Sequence, residues 1–329
     1  MSQHFLLSPA CRTLSETQVA RLSEDQARAI FQDLRWSRTN GEPVCPRCAC
    51  EACYNLRVRK KFRCKRCSYD FSVTSGTVFA DRKMEFRDIL LAIFKFVNSV
   101  KGLPALQLSR ELGCDYRVAF VLLHKLRECL ENESATQELG GEDKTVEIDG
   151  AYVGGHVRPK NHKDERIDRR LWNNQNGKRM VIGVIRERGG RTFTSVIDSE
   201  ADLVPIIGKR VRKGTTIHAD EAAAYDVLHA KFKTMRINHQ VAYSLDGACT
   251  NQAESFFSRV RRSEWGVHHH ISGKYLDHYA NEMAWREDHR REDNAWLTHE
   301  VLGMSMDQGM SKLWRGYGCK HHVSVQALH

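Results

Sequence analysis

Cys45-Pro-Arg-Cys48 and Cys64-Lys-Arg-Cys67 are two C-x2-C pairs separated by fifteen residues, a spacing that lets four thiolates close a tetrahedron around zinc. Cys50 and Cys53 form a competing pair, but joining it to Cys64 and Cys67 leaves a loop of only ten residues. A structural Zn2+ is therefore assigned to Cys45, Cys48, Cys64 and Cys67. Six of the eleven cysteines crowd between Cys45 and Cys67, and the N-terminus shows no export signal, so metal binding is preferred to disulfides.

Three acids carry a second chemistry. In Thr145-Val146-Glu147-Ile148-Asp149, Val146 and Ile148 share one strand face and Glu147 and Asp149 the other, which predicts Asp149 at the end of a buried strand facing a cleft. Asp220 closes the strand Thr216-Ile217-His218-Ala219, immediately before a helix. Glu254 falls in the first turn of a helix over 251–262, and Arg261 lies two turns along on the same face. Each acid has an ordinary alternative: Asp149-Gly150 as a turn dipeptide, Asp220 as a helix cap. Together they converge on one cleft of the inferred fold, where three carboxylates can hold two Mg2+ ions for in-line phosphoryl transfer.

The elements that position these groups fall into successive stretches. Residues 1–40 form an N-terminal helical segment, with Ser23 and Gln26 as a capping box, and residues 41–80 form the zinc ribbon, too small to fold on a core alone. Residues 81–135 carry helical segments Phe86 to Ser99, Pro104 to Leu112 and Asp115 to Leu130. The last two are joined by Gly113-Cys114, a helix-turn-helix-like arrangement. Its second helix would offer Tyr116, Arg117, His124, Lys125 and Arg127 to DNA; an ordinary helical hairpin with a basic solvent face is the alternative. Residues 132–144 read as a linker.

Residues 145–291 then run three strands, helix, strand, helix, strand, helix, with a hairpin at Gly189-Gly190 and helices at 201–210 and 221–233. The fold class is α/β: an RNase H-like mixed-sheet catalytic domain preceded by a zinc ribbon and the helix-turn-helix-like region. Residues 292–329 form a tail whose Trp296, Trp314 and Tyr317 suggest packing against the body or another subunit.

With 329 residues, 28% charged, and a net charge of +10, the chain favours a polyanionic partner. Arg57, Arg59, Lys60, Lys61, Arg63, Lys65 and Arg66 surround the second knuckle and suit DNA phosphates; a solvated charged face is the alternative. The basic stretch from His156 to Lys178 has almost no apolar residues and is another candidate grip on DNA. His268-His269-His270 cannot share a helix face and is read as DNA-contacting and structural rather than as a second metal site. Tyr275, Tyr279, Glu282 and Arg286 are read as packing and support. No apolar run spans a bilayer, and the expected location is the cytoplasm.

These motifs, taken in order, resemble the DDE transposases of bacterial insertion sequences, in the subgroup with an N-terminal zinc ribbon and an ISXO-like transposase domain. The resemblance rests on the knuckles followed by Phe71-Ser72-Val73-Thr74-Ser75-Gly76-Thr77, then Lys101-Gly102-Leu103-Pro104-Ala105-Leu106-Gln107-Leu108. It continues through Val146-Glu147-Ile148-Asp149 with Tyr152-Val153-Gly154-Gly155, His218-Ala219-Asp220, Asn251, Glu254 and Phe256, and the trailing Gly266, His268, His269 and Tyr275-Leu276.

The resemblance implies that Asp149, Asp220 and Glu254 are catalytic ligands of Mg2+ or Mn2+, with thirty-three residues between the last two, and that Arg261 holds a phosphate of the terminal DNA. It further implies cleavage at the element's ends, then attack of the freed 3'-hydroxyl on target DNA. The partners would be the terminal inverted repeats, target DNA and further copies of the chain, at the bacterial nucleoid when bound. Gly150 departs from the pattern, since related chains often carry Glu there, and Arg replaces Lys at 261; Asn251 is a weaker candidate than Glu254 for the third ligand. Two other functions remain: a non-catalytic zinc-ribbon and helix-turn-helix DNA binder, and a nuclease that cuts without joining.

Overall fold

The computed structural model describes residues 5–154, 162–165, 179–220, 223–237 and 249–317. The chain divides into two units, one of residues 1–130 with 291–329, the other of residues 131–290. No helix among the described residues is long and apolar enough to cross a membrane.

Two serines open the first unit's helices α1 (Glu16–Ala20) and α2 (Glu24–Arg35). Ser15 accepts the Gln18 N–H while the Gln18 side chain accepts the Ser15 N–H, and Ser23 with Gln26 repeats the arrangement. Each reciprocal pair satisfies donors that a helix start leaves free. Next comes an antiparallel sheet of β1 (Cys53–Leu56), β2 (Lys61–Cys64) and β3 (Asp70–Phe71). Its buried rings are Phe62 and Phe71, which pack with Trp36: Trp36 stands edge-on to Phe62 at 5.3 Å, and Phe62 lies 5.7 Å from Phe71. So small a core needs another source of stability.

Three helices follow: α3 (Phe86–Asn98), α4 (Ala105–Leu112) and α5 (Tyr116–Ser134). Glu24 caps α3 from α2, its carboxylate accepting the Phe86 and Arg87 N–H groups. Gly113, at φ 63°, ends α4 in the left-handed conformation that glycine tolerates, and Asp115 accepts the Arg117 N–H at the start of α5. The C-terminal helix α9 (Asn294–Asp307), capped by Asp293, packs on α2 and α3.

In the second unit, β4 (Thr145–Gly154), β5 (Arg179–Glu187) and β6 (Thr192–Ile197) form an antiparallel meander. Helix α6 (Leu203–Arg210) leads to β7 (Thr216–Asp220), and a 3-10 segment (Ala223–Ala230) leads to β8 (Lys233–Ile237). Both later strands run parallel to β4, giving a mixed sheet of order β6-β5-β4-β7-β8. Helices α7 (Asn251–Ser263) and α8 (Gly273–Asp288) complete the unit, joined through a π-helical turn (Glu264–His268).

Alternation along the strands splits the core. Val146, Ile148 and Ile217 pack with Leu203, Ile207 and Tyr225 on one face, whereas Ala151, Val153 and Val184 pack with Phe256, Phe257 and Leu276 on the other. The order of elements follows the sequence reading, with the predicted helix over 221–233 replaced by a 3-10 segment.

Candidate functional site

The two cysteine knuckles meet. Cys45, Cys48, Cys64 and Cys67 place their sulfurs within 4.8 Å of one another, and among the described residues no other group of three or more potential ligands does so. Cys45 Sγ lies 3.7 Å from Cys67 Sγ, and Cys48 Sγ lies 3.5 Å from those of Cys64 and Cys67. Burial works against a thiolate at Cys64, but the N–H groups of Cys67 and Arg66 and the thiols of Cys48 and Cys67 outweigh it and bring the group down to about 6. Thiolate is the form that binds zinc. Cys53 turns instead to the Cys50 carbonyl, and burial followed by the neighbouring cysteines pushes it up to about 11. The four sulfurs fit a structural Zn2+, as the spacing predicted.

The acids are assembled differently. Asp149 lies in the middle of β4 rather than at its end, because β5 pairs with β4 as far as Gly154. What stops at Ile148 is the parallel pairing with β7, whose last partner there is Ala219. Asp149 and Asp220 therefore follow matched residues on neighbouring strands. Period-two alternation turns Asp149 to the face covered by α7, the helix that carries Glu254.

Burial pushes the Asp149 carboxyl up to about 7; the Gly150 N–H opposes this, and the carboxylates of Asp220, Glu200 and Glu254 add to it. The negative charges thus gather around Asp149 without their oxygens closing to ligand distance. An all-carboxylate set suits a hard divalent cation, which would relieve this repulsion.

Glu147 is fully buried two residues before Asp149. Its Oε2 accepts the N–H groups of Gln252 (2.8 Å) and Ala253 (3.1 Å), in the first turn of α7, while its Oε1 accepts Arg188 Nε at 2.9 Å. Arg188 also donates to the Cys249 carbonyl at 3.2 Å and contacts His218 Nδ1 at 3.1 Å. A carboxylate on β4 thereby fixes the start of the helix bearing Glu254 and complements its dipole. The sequence placed Glu147 on the cleft side but gave no sign of this clamp.

Basic surface surrounds the ribbon. Arg57, Arg59, Lys60, Lys61, Arg63, Lys65 and Arg66 are all exposed. Two of them have acidic partners: Arg63 grips Asp70 through two hydrogen bonds of 2.5 and 2.9 Å, and Lys60 meets Asp25 at 2.6 Å. Exposed Tyr54 and Tyr69 are interleaved, with Lys65 4.9 Å from the Tyr54 ring and Arg47 5.9 Å from that of Tyr69.

On α5, of the five residues expected to face DNA, only Tyr116 and Arg117, at its first turn, are exposed. Lys125 is half-buried and donates to the Val78 carbonyl at 2.8 Å, so it is not presented to a ligand. Buried Arg127 lies over the Phe96 ring, and buried His124 packs on Trp314. Aromatic residues distant in sequence draw this part of the helix inward.

Arg261 is exposed on α7, and Trp265, unremarked in the sequence, is 71% exposed on the π-helical turn that follows. Buried Glu282 pairs with Arg286 at 2.7 Å, in keeping with a supporting role. Of the basic stretch 156–178, only 162–165 fall among the described residues.

Residues 138–288 match the family described as the ISXO2-like transposase domain, and residues 22–70 match the transposase zinc-ribbon domain. The second match takes in α2 and Trp36, the residue that packs on the ribbon's two phenylalanines. The chain is also similar to an uncharacterized protein in transposable element ISH50 of Halobacterium salinarum, at 24% identity over 281 residues, covering 81% of this chain and 92% of the relative. No solved structure matches. Knuckle geometry and both domain matches agree: the chain carries a region that matches the ISXO2-like transposase domain, preceded by a region that matches the transposase zinc ribbon.

Proposed function

We propose that the protein cleaves DNA strands at the ends of an insertion element and transfers them to target DNA, using Asp149, Asp220 and Glu254 as ligands of Mg2+ or Mn2+ in an RNase H-like domain. The observation that carries this reading is the placement of Asp149 and Asp220 directly after matched residues of β4 and β7, with Glu254 on the helix that covers the Asp149 face; burial, then the carboxylates of Asp220, Glu200 and Glu254, raise the Asp149 carboxyl to about 7. When bound, the cations supply activation of the attacking oxygen and stabilisation of the leaving one. The chain's own residues align the reactants. Glu147 and Arg188 hold the start of α7, and so Glu254, against the strands that carry the two aspartates. Arg261, exposed further along α7, holds a phosphate of the terminal DNA.

DNA is taken up by the exposed cations at 57–66 and by the first turn of α5, with α4 and α5 acting as a helix-turn-helix-like pair. Joining two element ends calls for more than one copy of the chain on DNA, at the bacterial nucleoid in the cytoplasm.

The test is cleavage and joining of terminal-repeat DNA with Mg2+, comparing wild type with Asp149→Ala, Asp220→Ala and Glu254→Ala proteins that still bind DNA. Each substitution is expected to lower strand cleavage on the order of a thousandfold. Binding without cutting by wild type would favour a non-catalytic DNA binder, and cutting without joining a nuclease.

A further inference from the structure

Gly150 has ordinary strand backbone, not the positive φ that favours glycine, so its missing side chain calls for another explanation. Space provides one. A Cβ at Gly150 would stand 2.7 Å from Glu200 Cγ, 3.1 Å from its Cδ and 3.3 Å from its Oε1. Gly183, its partner on β5, is similarly placed: a Cβ there would stand 2.8 Å from Leu203 Cδ1. Two paired glycines thus form a cradle into which residues 200–203 descend, and the first of them brings a carboxylate beside Asp149.

A second feature points at the same spot. Tyr225 is 0% exposed, and its hydroxyl has no hydrogen-bond partner among the described residues. Burial, then the carboxylates of Glu200, Asp220 and Asp149, hold the proton on this phenol. A buried donor left without an acceptor is costly, and it marks a place where a polar ligand completes the structure.

We propose that Glu200 is a fourth carboxylate of the divalent-cation site, admitted by the absence of a side chain at Gly150, with the Tyr225 hydroxyl available to the site's oxygen ligands. This rests on the cation-site reading above. It adds a residue from the turn before α6 to a set otherwise drawn from β4, β7 and α7. The fourth charge also assigns a role to Gly150: a larger residue there would displace Glu200.

Mn2+ titration of the zinc-loaded full chain, followed by electron paramagnetic resonance, tests the proposal apart from activity. Wild type, Glu200→Gln, Gly150→Ala and Asp149→Asn are compared, with melting curves and zinc content confirming that each is folded. Glu200→Gln and Gly150→Ala are each expected to weaken Mn2+ binding about tenfold, and Asp149→Asn to weaken it further. If both Glu200→Gln and Gly150→Ala bind Mn2+ like wild type while Asp149→Asn does not, Glu200 is no ligand, and the cation site stands without it. If Asp149→Asn also binds like wild type, the cation-site reading itself fails and this proposal with it.

Discussion

The four cysteines and the three acids proposed as cation ligands are brought together on opposite principles. Cys45, Cys48, Cys64 and Cys67 come from two tight knuckles close in sequence, and their sulfurs stand within 4.8 Å of one another with only a few aromatic rings behind them. Asp149, Asp220 and Glu254 come from two strands and a helix spread through the second unit. They approach one another only because sheet register aligns the aspartates and Glu147 fixes α7, and they repel as they do so. Soft, local donors create structure around their ion. Dispersed acids require a framework able to hold them together against their repulsion.

The strongest way to break this contrast is Cys64→Ser. Structural zinc contributes about 10 kcal/mol or more to modules of this kind, so the variant should lose zinc and the amide-exchange protection of β1 to β3. Persisting protection without zinc would show that Trp36, Phe62 and Phe71 suffice.

A smaller loss is expected from Glu147→Ala, which removes the carboxylate partner of Arg188 and the acceptor of two N–H groups of α7. Denaturant unfolding should report a cost of about 3 kcal/mol, with Glu147→Gln recovering part of it. An unchanged midpoint would mean that packing of Phe256 and Phe257 alone secures α7.

A third effect is in pH. Because the folded chain raises Asp149 from 3.8 to about 7, it holds that proton more tightly than the unfolded chain. The resulting stabilisation is complete below the unfolded value and is lost as pH rises from about 4 to about 7. In metal-free protein, wild type should therefore lose a few degrees of melting temperature relative to Asp149→Asn across that window, and Mg2+ should restore them. Parallel melting curves at pH 5 and pH 8 would remove the burial of Asp149 and its repulsion by neighbouring acids from the comparison.

Local signals were readable and remote ones were not. Cysteine spacing alone located the zinc site, and the alternation Val146, Glu147, Ile148, Asp149 assigned both acids to the correct strand face. Alternation from Thr145 to Val153 matches β4 to within a residue, but Asp149 reads as a strand end because Asp149-Gly150 resembles a turn, whereas pairing with β5 carries the strand onward. Charge marked Lys125 and Arg127 as surface residues, but their burial depends on contacts with Val78 and Phe96, far away in sequence. Glu200 and Tyr225 lie in 3-10 segments without a periodic pattern, and Gly150 next to Asp149 was the one available clue.

The return of α9 to the first unit sets an order of events during synthesis. Its Val301, Leu302 and Met306 are buried, and Asn294 hydrogen-bonds Leu14 near the other end of the chain. A ribosome must therefore complete residues 131–290 before it delivers the helix that closes the first unit's core. A nascent chain interrupted before Asn294 would hold the ribbon and Asp149, Glu200, Asp220 and Glu254, yet leave part of α3 uncovered. Completion of the ribbon-bearing unit thus reports that residues 131–290 have already been made.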